Sequence, residues 1–459
     1  MPDARPVFSL IFDGAGSKDQ GSTPFTPDSN GAIGRAFYVQ FINFAFSTYD
    51  KIGSPKQKPV DSTTFWTEAG IQDPGNHIDP RIAFLPDAGV YGQWLAVQIK
   101  MGRGVMIATT DPTTHDDDPS LGKWRASYFA LSGSDFPMLG YDKNGIYLGI
   151  ESEIHPPTPP DPPPGVRSPQ LVLIPRSKAL AYPPQVGPND VTIIGPLHVE
   201  DYGSGLFPVI DQSGMETPVA TFIGVDTIGQ KDLTYVQVSP TSGEIVQYGR
   251  IPVEPFNAIS PTNYVRQPYS NSNDVIFDNT RIISAPICDG SNIWVTHTIQ
   301  KQDGPQKALV VRWYRLSLDA ATRIPSLAAW GEIFESNYDY FNPSIQAFGK
   351  DDYIVLSLSR SGNNVTPTNP TDPKCGNIGA YAAVLKETDA APQILTLKSG
   401  LAYNFISNPP QRWGDYSTIC RDPTSSRLLW MVNQYVLQGG GPPASQWRTA
   451  IGVLYVLQT

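Results

Sequence analysis

Four oxygen-bearing side chains stand at equivalent places in this chain, each at the start of an apolar run. Asp79, Asp135 and Asn342 come just before or near a proline, and Asp415 precedes an aromatic residue. If the runs converge in the fold, these oxygens could bind a hard cation such as Ca²⁺. Asp and Asn at such places also cap turns by accepting from nearby backbone N–H groups. The residues are therefore candidate metal ligands, with turn capping as the alternative.

Two arginines and a tryptophan flank the same positions. Arg81 and Arg412 could bind a carboxylate or sulfate through paired hydrogen bonds. Each could instead form an ion pair with an Asp of a neighbouring unit and hold the two units together. Trp413 is either a platform for a sugar or packing between units. Arg81, Arg412, Trp413 and Asp415 are the candidate ligand-binding residues.

A catalytic set is harder to find. Glycoside hydrolysis needs two carboxyl groups that face one substrate, and Glu151, Glu153 and Glu335 are acids beside strand-like runs. Nothing in the sequence fixes the distances between them. The five histidines are scattered without the spacing of a metal site. We therefore expect no catalytic residues.

A repeated unit supplies the elements that must position these residues. Its pattern is a polar residue, Pro or Gly, an apolar strand, a turn rich in Asp and Gly, and a second, more apolar strand. Self-similarity of this kind is typical of repeat architectures. The units start near residues 34, 79, 135, 207, 286, 343 and 413.

Spacing between the starts leaves room for about four strands per unit, as in a propeller blade. The last unit has room for only three, and a spare strand lies at residues 6–13. We predict an all-β, seven-bladed β-propeller over residues 1–459, closed by pairing of this N-terminal strand with the last blade. Two β-sandwiches, or a ring of six or eight blades, are the alternatives. Residues 155–169 are predicted to be a proline-rich loop insertion.

Composition agrees with this architecture and excludes several classes of protein. The chain has 45 Pro and 40 Gly, and 17% of its residues are charged; it shows no sustained helical periodicity. A net charge of −10 without a basic cluster argues against nucleic-acid binding. No apolar run reaches the ~18 residues of a membrane-spanning helix. Cys288 and Cys420 lie in apolar runs that predict burial, whereas Cys375 lies in a loop-like segment.

Two segments resemble a known group of proteins. The run Arg412-Trp413-Gly414-Asp415-Tyr416-Ser417, and the opening segment that contains Asn43 and ends in Tyr49-Asp50-Lys51, resemble bacterial secreted propellers of the sialidase-like or BNR type. The resemblance implies the propeller fold and an extracellular or surface location, although the first residues do not look like a signal peptide. Many members of the group have no assigned activity. The Asp-box of sialidases, Ser-x-Asp-x-Gly-x-x-Trp, does not occur in this chain.

These observations favour a non-catalytic propeller that serves as a binding or structural module. Its ligand would be a protein or a glycan, and the chain could be a subunit of a homo-oligomer. The alternative is a carbohydrate-active enzyme of the sialidase-like type with its site over the central channel. No cofactor is expected beyond a possible Ca²⁺ ion.

Overall fold

The computed structural model of this chain describes most of its residues, and they are dominated by short antiparallel strands. The described residues are 6–20, 26–114, 116–154, 167–259, 264–267, 275–276, 280–304, 306–348, 353–362, 376–401, 411–438 and 446–456. Within them, no helix has both the length and the apolar character that a membrane span requires.

The strands follow one another in groups along the chain. Strand β1 (Val7–Gly16) is followed by β2 (Asn30–Ile33), β3 (Phe37–Ile42), β4 (Ala45–Asp50), β5 (Pro55–Asp61) and helix α1 (Ser62–Glu68). The second group is β6 (His77–Leu85), β7 (Gln93–Lys100), β8 (Gly104–Thr110) and β9 (Trp124–Ala130). The third is β10 (Ser134–Tyr141), β11 (Gly145–Ser152), β12 (Ser168–Pro175), helix α2 (Arg176–Ala179), β13 (Thr192–Ile194) and helix α3 (Val199–Tyr202).

The remaining groups complete the chain. The fourth is β14 (Ser204–Pro208), β15 (Ile210–Asp211), β16 (Ala220–Val225), β17 (Asp232–Val238) and β18 (Ile245–Pro252), followed by the short β19 (Tyr264–Val265) and β20 (Val275–Ile276). The fifth is β21 (Ile287–Cys288), β22 (Asn292–Asp303), β23 (Gln306–Leu318) and β24 (Pro325–Ile333). The sixth is β25 (Tyr338–Ala347), β26 (Ile354–Gly362), β27 (Gly379–Leu385) and β28 (Gln393–Lys398). The last is β29 (Gln411–Arg412), β30 (Thr418–Arg421), β31 (Leu428–Gln438) and β32 (Gln446–Tyr455).

Contacts between the groups follow chain order around a ring. Strand β2 contacts β6, β6 contacts β10, and β10 contacts β14. On the other side β18 contacts β24, β22 contacts β25, and β25 contacts β30. Strand β30 returns to β2 of the first group. The protein is therefore an all-β propeller. The strands that line its axis, here called the inner strands, are β2, β6, β10, β14, β21, β25 and β30.

The prediction of seven separate blades is wrong. The described strands form five four-stranded sheets, one nine-stranded sheet and a small three-stranded sheet, and none of these described sheets closes on itself. The nine-stranded sheet contains two four-stranded meanders, β10–β13 and β21–β24, joined through β15. The reason is that the two-residue strand β15 pairs in parallel with β10 at Ile210 and with β21 at Ile210 and Asp211. So short a bridge leaves no pattern in the sequence.

The predicted pairing of the two chain ends is present. Strand β1 pairs antiparallel with β32, with Phe8 opposite Leu454 and Val7 opposite Tyr455. The sheet that results has the order β1-β32-β31-β30, so its outermost strand comes from the other end of the chain. This pairing covers the edge of β32, which would otherwise expose unpaired backbone groups.

The burial of residues along each strand explains why the apolar runs of the repeated unit were visible in the sequence. Strands in the middle of a sheet, such as β8, are buried along their whole length because neighbouring sheets cover both faces. Outer strands such as β24 alternate between buried and more exposed residues. Aromatic residues fill the space between sheets; Phe41 and Phe46 of the first sheet and Trp94 and Trp124 of the second belong to one buried cluster.

Three other predictions concern single segments. Cys288 is buried and Cys420 is partly buried, and both are free thiols. Cys375 lies outside the described residues. Of the predicted proline-rich insertion at 155–169, residues 155–166 also lie outside them, whereas Ser168 and Pro169 begin strand β12.

Candidate active site

The inner strands surround a channel along the axis, and a pocket lies at each end of these strands. The cavity inside the channel has a volume of about 120 Å³. At the end where these strands begin lies a pocket of about 520 Å³, here called the entrance pocket. Its lining includes Asp28, Asp79, Asp135, Arg412 and Asp415. A pocket of about 340 Å³, whose lining includes residues 87 and 142, lies at the opposite end.

Backbone irregularities turn side chains of the inner strands β6 and β10 towards the entrance pocket. The pairing of β6 with β7 shifts register between Ile78 and Arg81, and Asp79 has a φ of 60°. In β10 the register shifts between Asp135 and Met138, and Phe136 has a φ of 50°. Left-handed backbone suits Asp but is costly for Phe. The bulges therefore impose local strain at the point where Asp79, Asp135 and Phe136 reach the pocket.

Two carboxyl groups form a pair within this pocket. Asp28 and Asp79 are 1% and 4% exposed, and their side chains hydrogen bond to each other. Asn43 holds both: its Nδ2 donates to Asp28 Oδ2 at 2.6 Å, and its Oδ1 accepts from the Asp79 N–H at 2.8 Å. The Asp415 N–H donates to Asp28 Oδ1 at 2.7 Å. Backbone and amide groups thus fix the position of the pair.

Burial changes the protonation of this pair. Desolvation, together with the negative charge of Asp415, raises the pKa of Asp28 from 3.8 to about 7. Desolvation and the charges of Asp28 and Asp415 raise the pKa of Asp79 well above its ordinary value. Two adjacent carboxylates cannot both ionise easily in a buried site. Asp28 and Asp79 therefore share a proton near neutral pH.

Three acid–arginine pairs surround the carboxyl pair. Arg412 Nη2 contacts Asp415 Oδ2 at 2.8 Å. Arg167 forms an ion pair with Asp135 and a second with Glu153 at 3.3 Å.

The third of these pairs joins Arg281 to Glu151. Its guanidinium lies 4.6 Å from the centre of the Phe136 ring. Burial lowers the pKa of Arg281 to about 10, which leaves it charged at neutral pH. The pocket thus offers carboxylate acceptors and guanidinium donors side by side.

Of the seven residues predicted to bind a metal or a ligand, four meet in the entrance pocket and three do not. Asp79, Asp135, Arg412 and Asp415 line it. Asn342, Trp413 and Arg81 do not line it.

Each of these three residues is buried elsewhere. Asn342 is 1% exposed, and its Nδ2 donates to the Gly414 carbonyl. Trp413 is 2% exposed and donates from Nε1 to Ser359 Oγ at 3.3 Å, which is the packing alternative. Arg81 lines the channel cavity below the pocket.

The predicted ring of cation ligands is not assembled as a ring. Asn342 is the member left outside the pocket, and Asp79 forms the pair with Asp28. Among the described residues, no group of three or more His, Cys, Asp or Glu is arranged to hold a metal ion.

Sequence reasoning missed three residues of the pocket. Asp28 precedes β2, whose sequence Asn-Gly-Ala-Ile is too short and too weakly apolar to be recognised as a strand. Arg167 and Arg281 lie just outside strands and belong to no repeated motif. The residues that did point to this end of the channel belong to the repeated unit or to the Arg412–Ser417 motif.

Comparisons with known proteins identify no family. No family model matches the chain, and no curated protein is similar to it. Among solved structures, the hemagglutinin-neuraminidase ectodomain of parainfluenza virus 5 is 9% identical with a TM-score of 0.37, covering 83% of this chain and 82% of that one. A mutant α-L-arabinofuranosidase of Fusarium graminearum, in complex with an iminosugar inhibitor, is 10% identical with a TM-score of 0.38, covering 97% of both chains. Likenesses this distant carry no argument about activity.

Proposed function

We propose that the entrance pocket is an active site that hydrolyses a glycosidic bond by acid–base catalysis. The observation that carries the proposal is the Asp28–Asp79 pair, a buried carboxyl pair that lines an open pocket and shares a proton near neutral pH. Burying two adjacent carboxyl groups lowers the stability of the fold. Where such a pair faces a pocket, a role in proton transfer would explain why the protein keeps it.

The pair has the properties of a general acid. A proton donor works best when its pKa lies near the pH at which it acts, and desolvation raises the pKa of Asp28 to about 7. Asp79 would give the shared proton to the leaving-group oxygen and become ionised, and the positive charge of Arg81 would partly offset the second negative charge of the pair. Asn43 and the Asp415 N–H would position this pair without touching substrate.

The second carboxyl group of the mechanism would come from the acid–arginine pairs. Asp135 and Asp415 each have a guanidinium partner that stabilises the ionised form. One of them would act as base or nucleophile on the opposite side of the sugar, as both known geometries of glycoside hydrolysis require.

The chemistry of the lining suits a sugar. A polyhydroxylated ligand needs many acceptors and donors at once, and the carboxylates and arginines of the pocket supply both. Phe136 and Met101 add apolar surface for a ring face. A volume of about 520 Å³ lies within the usual range for small-ligand sites.

A non-catalytic binding module, which the sequence favoured, is the second candidate. Its support is that Arg412 and Asp415 pair with each other within one short segment, as residues with a purely structural role would do. Such a module would bind a glycan or a protein through the same pocket. A surface or extracellular location and a homo-oligomeric assembly remain proposals, the former from the sequence resemblance.

Turnover of a substrate panel separates the two candidates. Aryl glycosides of common sugars, sialosides and acidic sugars would be incubated with the parent protein and with Asp79→Asn. Asn keeps the shape and tolerates the positive φ, but it cannot transfer the proton. We expect turnover of at least one substrate and a loss of about 10²–10⁴-fold in kcat for Asp79→Asn.

The matched control is Asp87→Asn, at the opposite end of the channel, which should keep full activity. Binding of the same sugars would be followed by ligand-detected NMR. If sugars bind but none is turned over by the parent protein, the catalytic proposal falls and the binding module stands. If no sugar binds or reacts, the catalytic proposal and the glycan-binding module both fall.

A further inference from the structure

The cavity inside the channel differs in charge from the pocket above it. Two arginines, Arg81 and Arg421, line it, and the described residues of its lining include no Asp or Glu. The chain as a whole has a net charge of −10, so a cationic cavity without acids stands out against its surroundings. The charge inside the channel therefore needs its own explanation.

Arg81 reaches across the channel. Its guanidinium carbon lies 3.6 Å from the centre of the Tyr416 ring and 5.6 Å from those of Phe136 and Phe207. These rings come from different groups of strands around the axis. The residue is 4% exposed, and its Nε donates to the Pro137 carbonyl at 2.7 Å. Its Nη2, however, is buried without a hydrogen-bond partner among the described residues.

Two more donors of the same cavity lack an acceptor within the described part of the chain. Arg421 donates from Nη2 to the Ala347 carbonyl at 2.6 Å, but its buried Nε has no partner there. Ser284 Oγ is also buried and finds no partner in the described ranges, and both residues line the cavity. Buried N–H and O–H groups almost always donate a hydrogen bond, and a buried donor without an acceptor lowers the stability of the fold. The cavity therefore calls for an acceptor that these residues do not supply.

Arg81 has a carboxyl neighbour, but that group is already engaged. Asp79 interacts electrostatically with Arg81 from the side of the entrance pocket. Its side chain hydrogen bonds to Asp28, with which it shares a proton. One protonated pair cannot balance the charge of Arg81 and also serve the donors deeper in the channel.

We infer that the channel cavity binds a small inorganic anion, with chloride as the simplest ligand, against Nη2 of Arg81. Water alone could accept the hydrogen bonds, but it would not offset the charges of two arginines in a cavity whose described lining includes no carboxylate. A volume of about 120 Å³ is several times the space that one water molecule requires. The site is separate from the entrance pocket, and its existence does not depend on the proposed enzyme activity.

Thermal unfolding at constant ionic strength tests the site. The chloride concentration would be varied against gluconate, a much bulkier organic anion. A ligand that binds the folded state stabilises it by mass action, so Tm should rise by about 1.5 °C for each tenfold increase in chloride above the Kd. Arg81→Met should abolish this rise, and Arg125→Met, which removes an arginine that stacks on Tyr182 outside the channel, should retain it.

Crystals grown in bromide give a second readout that needs no variant. Bromide scatters anomalously and should appear in the channel of the parent protein, within hydrogen-bond distance of Arg81 Nη2. The inference is overturned if Tm is the same in chloride and gluconate, if the chloride effect persists in Arg81→Met, or if the channel contains no bromide.

Discussion

The substitution Asp79→Asn should stabilise the protein at neutral and alkaline pH. The amide that replaces the carboxyl group would donate to Asp28 as the protonated carboxyl does, so the pair would keep its hydrogen bond without having to hold a proton. Asn also accepts the left-handed φ of 60° at this bulge. The substitution therefore removes the free-energy cost of keeping Asp79 protonated in the folded state and changes little else.

The size of the effect follows from the raised pKa of Asp79. A carboxyl group whose pKa is raised in the folded state destabilises the fold at any pH at which the same group is ionised in the unfolded chain. The penalty is absent below about pH 4 and grows as pH rises towards the raised pKa of Asp79. Each unit by which that pKa is raised costs about 1.4 kcal/mol. For a chain of 459 residues, each unit corresponds to about 1.4 °C in Tm.

Calorimetry between about pH 4 and pH 8 measures this difference. The two proteins should unfold at nearly the same temperature at the acidic end, and the variant should be more stable at the alkaline end. Asp87→Asn is the control at the other end of the channel. Partial burial opposes ionisation of Asp87, but the hydrogen bonds and charges of Lys143 and Arg176 outweigh it and hold the pKa of Asp87 below its ordinary value. Asp87→Asn should therefore lose stability as pH rises, and a similar loss in Asp79→Asn would refute the shared proton.

Four further results are expected. Trp413→Ala should lower the free energy of unfolding by about 3–5 kcal/mol in urea titrations, because it empties a buried site and removes the bond to Ser359; a loss below about 1 kcal/mol would contradict tight packing there. Arg266→Met should lower the free energy of unfolding by about 3–5 kcal/mol in the same assay, because it leaves the buried carboxylate of Asp339 without this ion-pair partner. Adding Asp339→Asn to that variant should restore part of the lost stability. Deleting residues 1–16 should expose the edge of β32 and cause association by light scattering; a stable monomer would show that the edge is otherwise protected. A chelator should leave Tm unchanged, because hydrogen bonds from Asn43 and the Asp415 N–H hold the Asp28–Asp79 pair, and a fall in Tm would restore the cation hypothesis.

Much of the fold was predictable because its strands carry their pattern locally. Continuous apolar runs such as β7 and β22 mark strands covered on both faces, and the Asp-Pro and Asn-Pro starts recur at bulges of β6 and β25. The prediction of seven separate blades failed because it concerns how distant strands pair in the folded protein. The two residues of β15 join separate meanders through parallel pairing, and no local pattern records such a bridge.

The site was predictable only in part, for a similar reason. Asp79 and Asp415 were found because each belongs to a repeated or motif-like segment. Asp28 was missed because it lies before a short strand without clear periodicity, and it meets Asp79 only when the ring forms. Asn342 occupies the same bulged position as Asp79, with a φ of 52°, but it faces its neighbouring segment and not the pocket. Equivalent places in a repeat do not guarantee equivalent surroundings.

Direct titration of the carboxyl groups tests the shared proton most decisively. Protein labelled with ¹³C at the Asp side chains would be followed by NMR across the pH range. We predict a carboxyl signal, that of Asp28, which titrates near pH 7 in the parent protein and is absent from Asp28→Asn. If every carboxyl signal in the parent protein titrated below about pH 5, Asp28 and Asp79 would not share a proton, and the proposed acid would be lost.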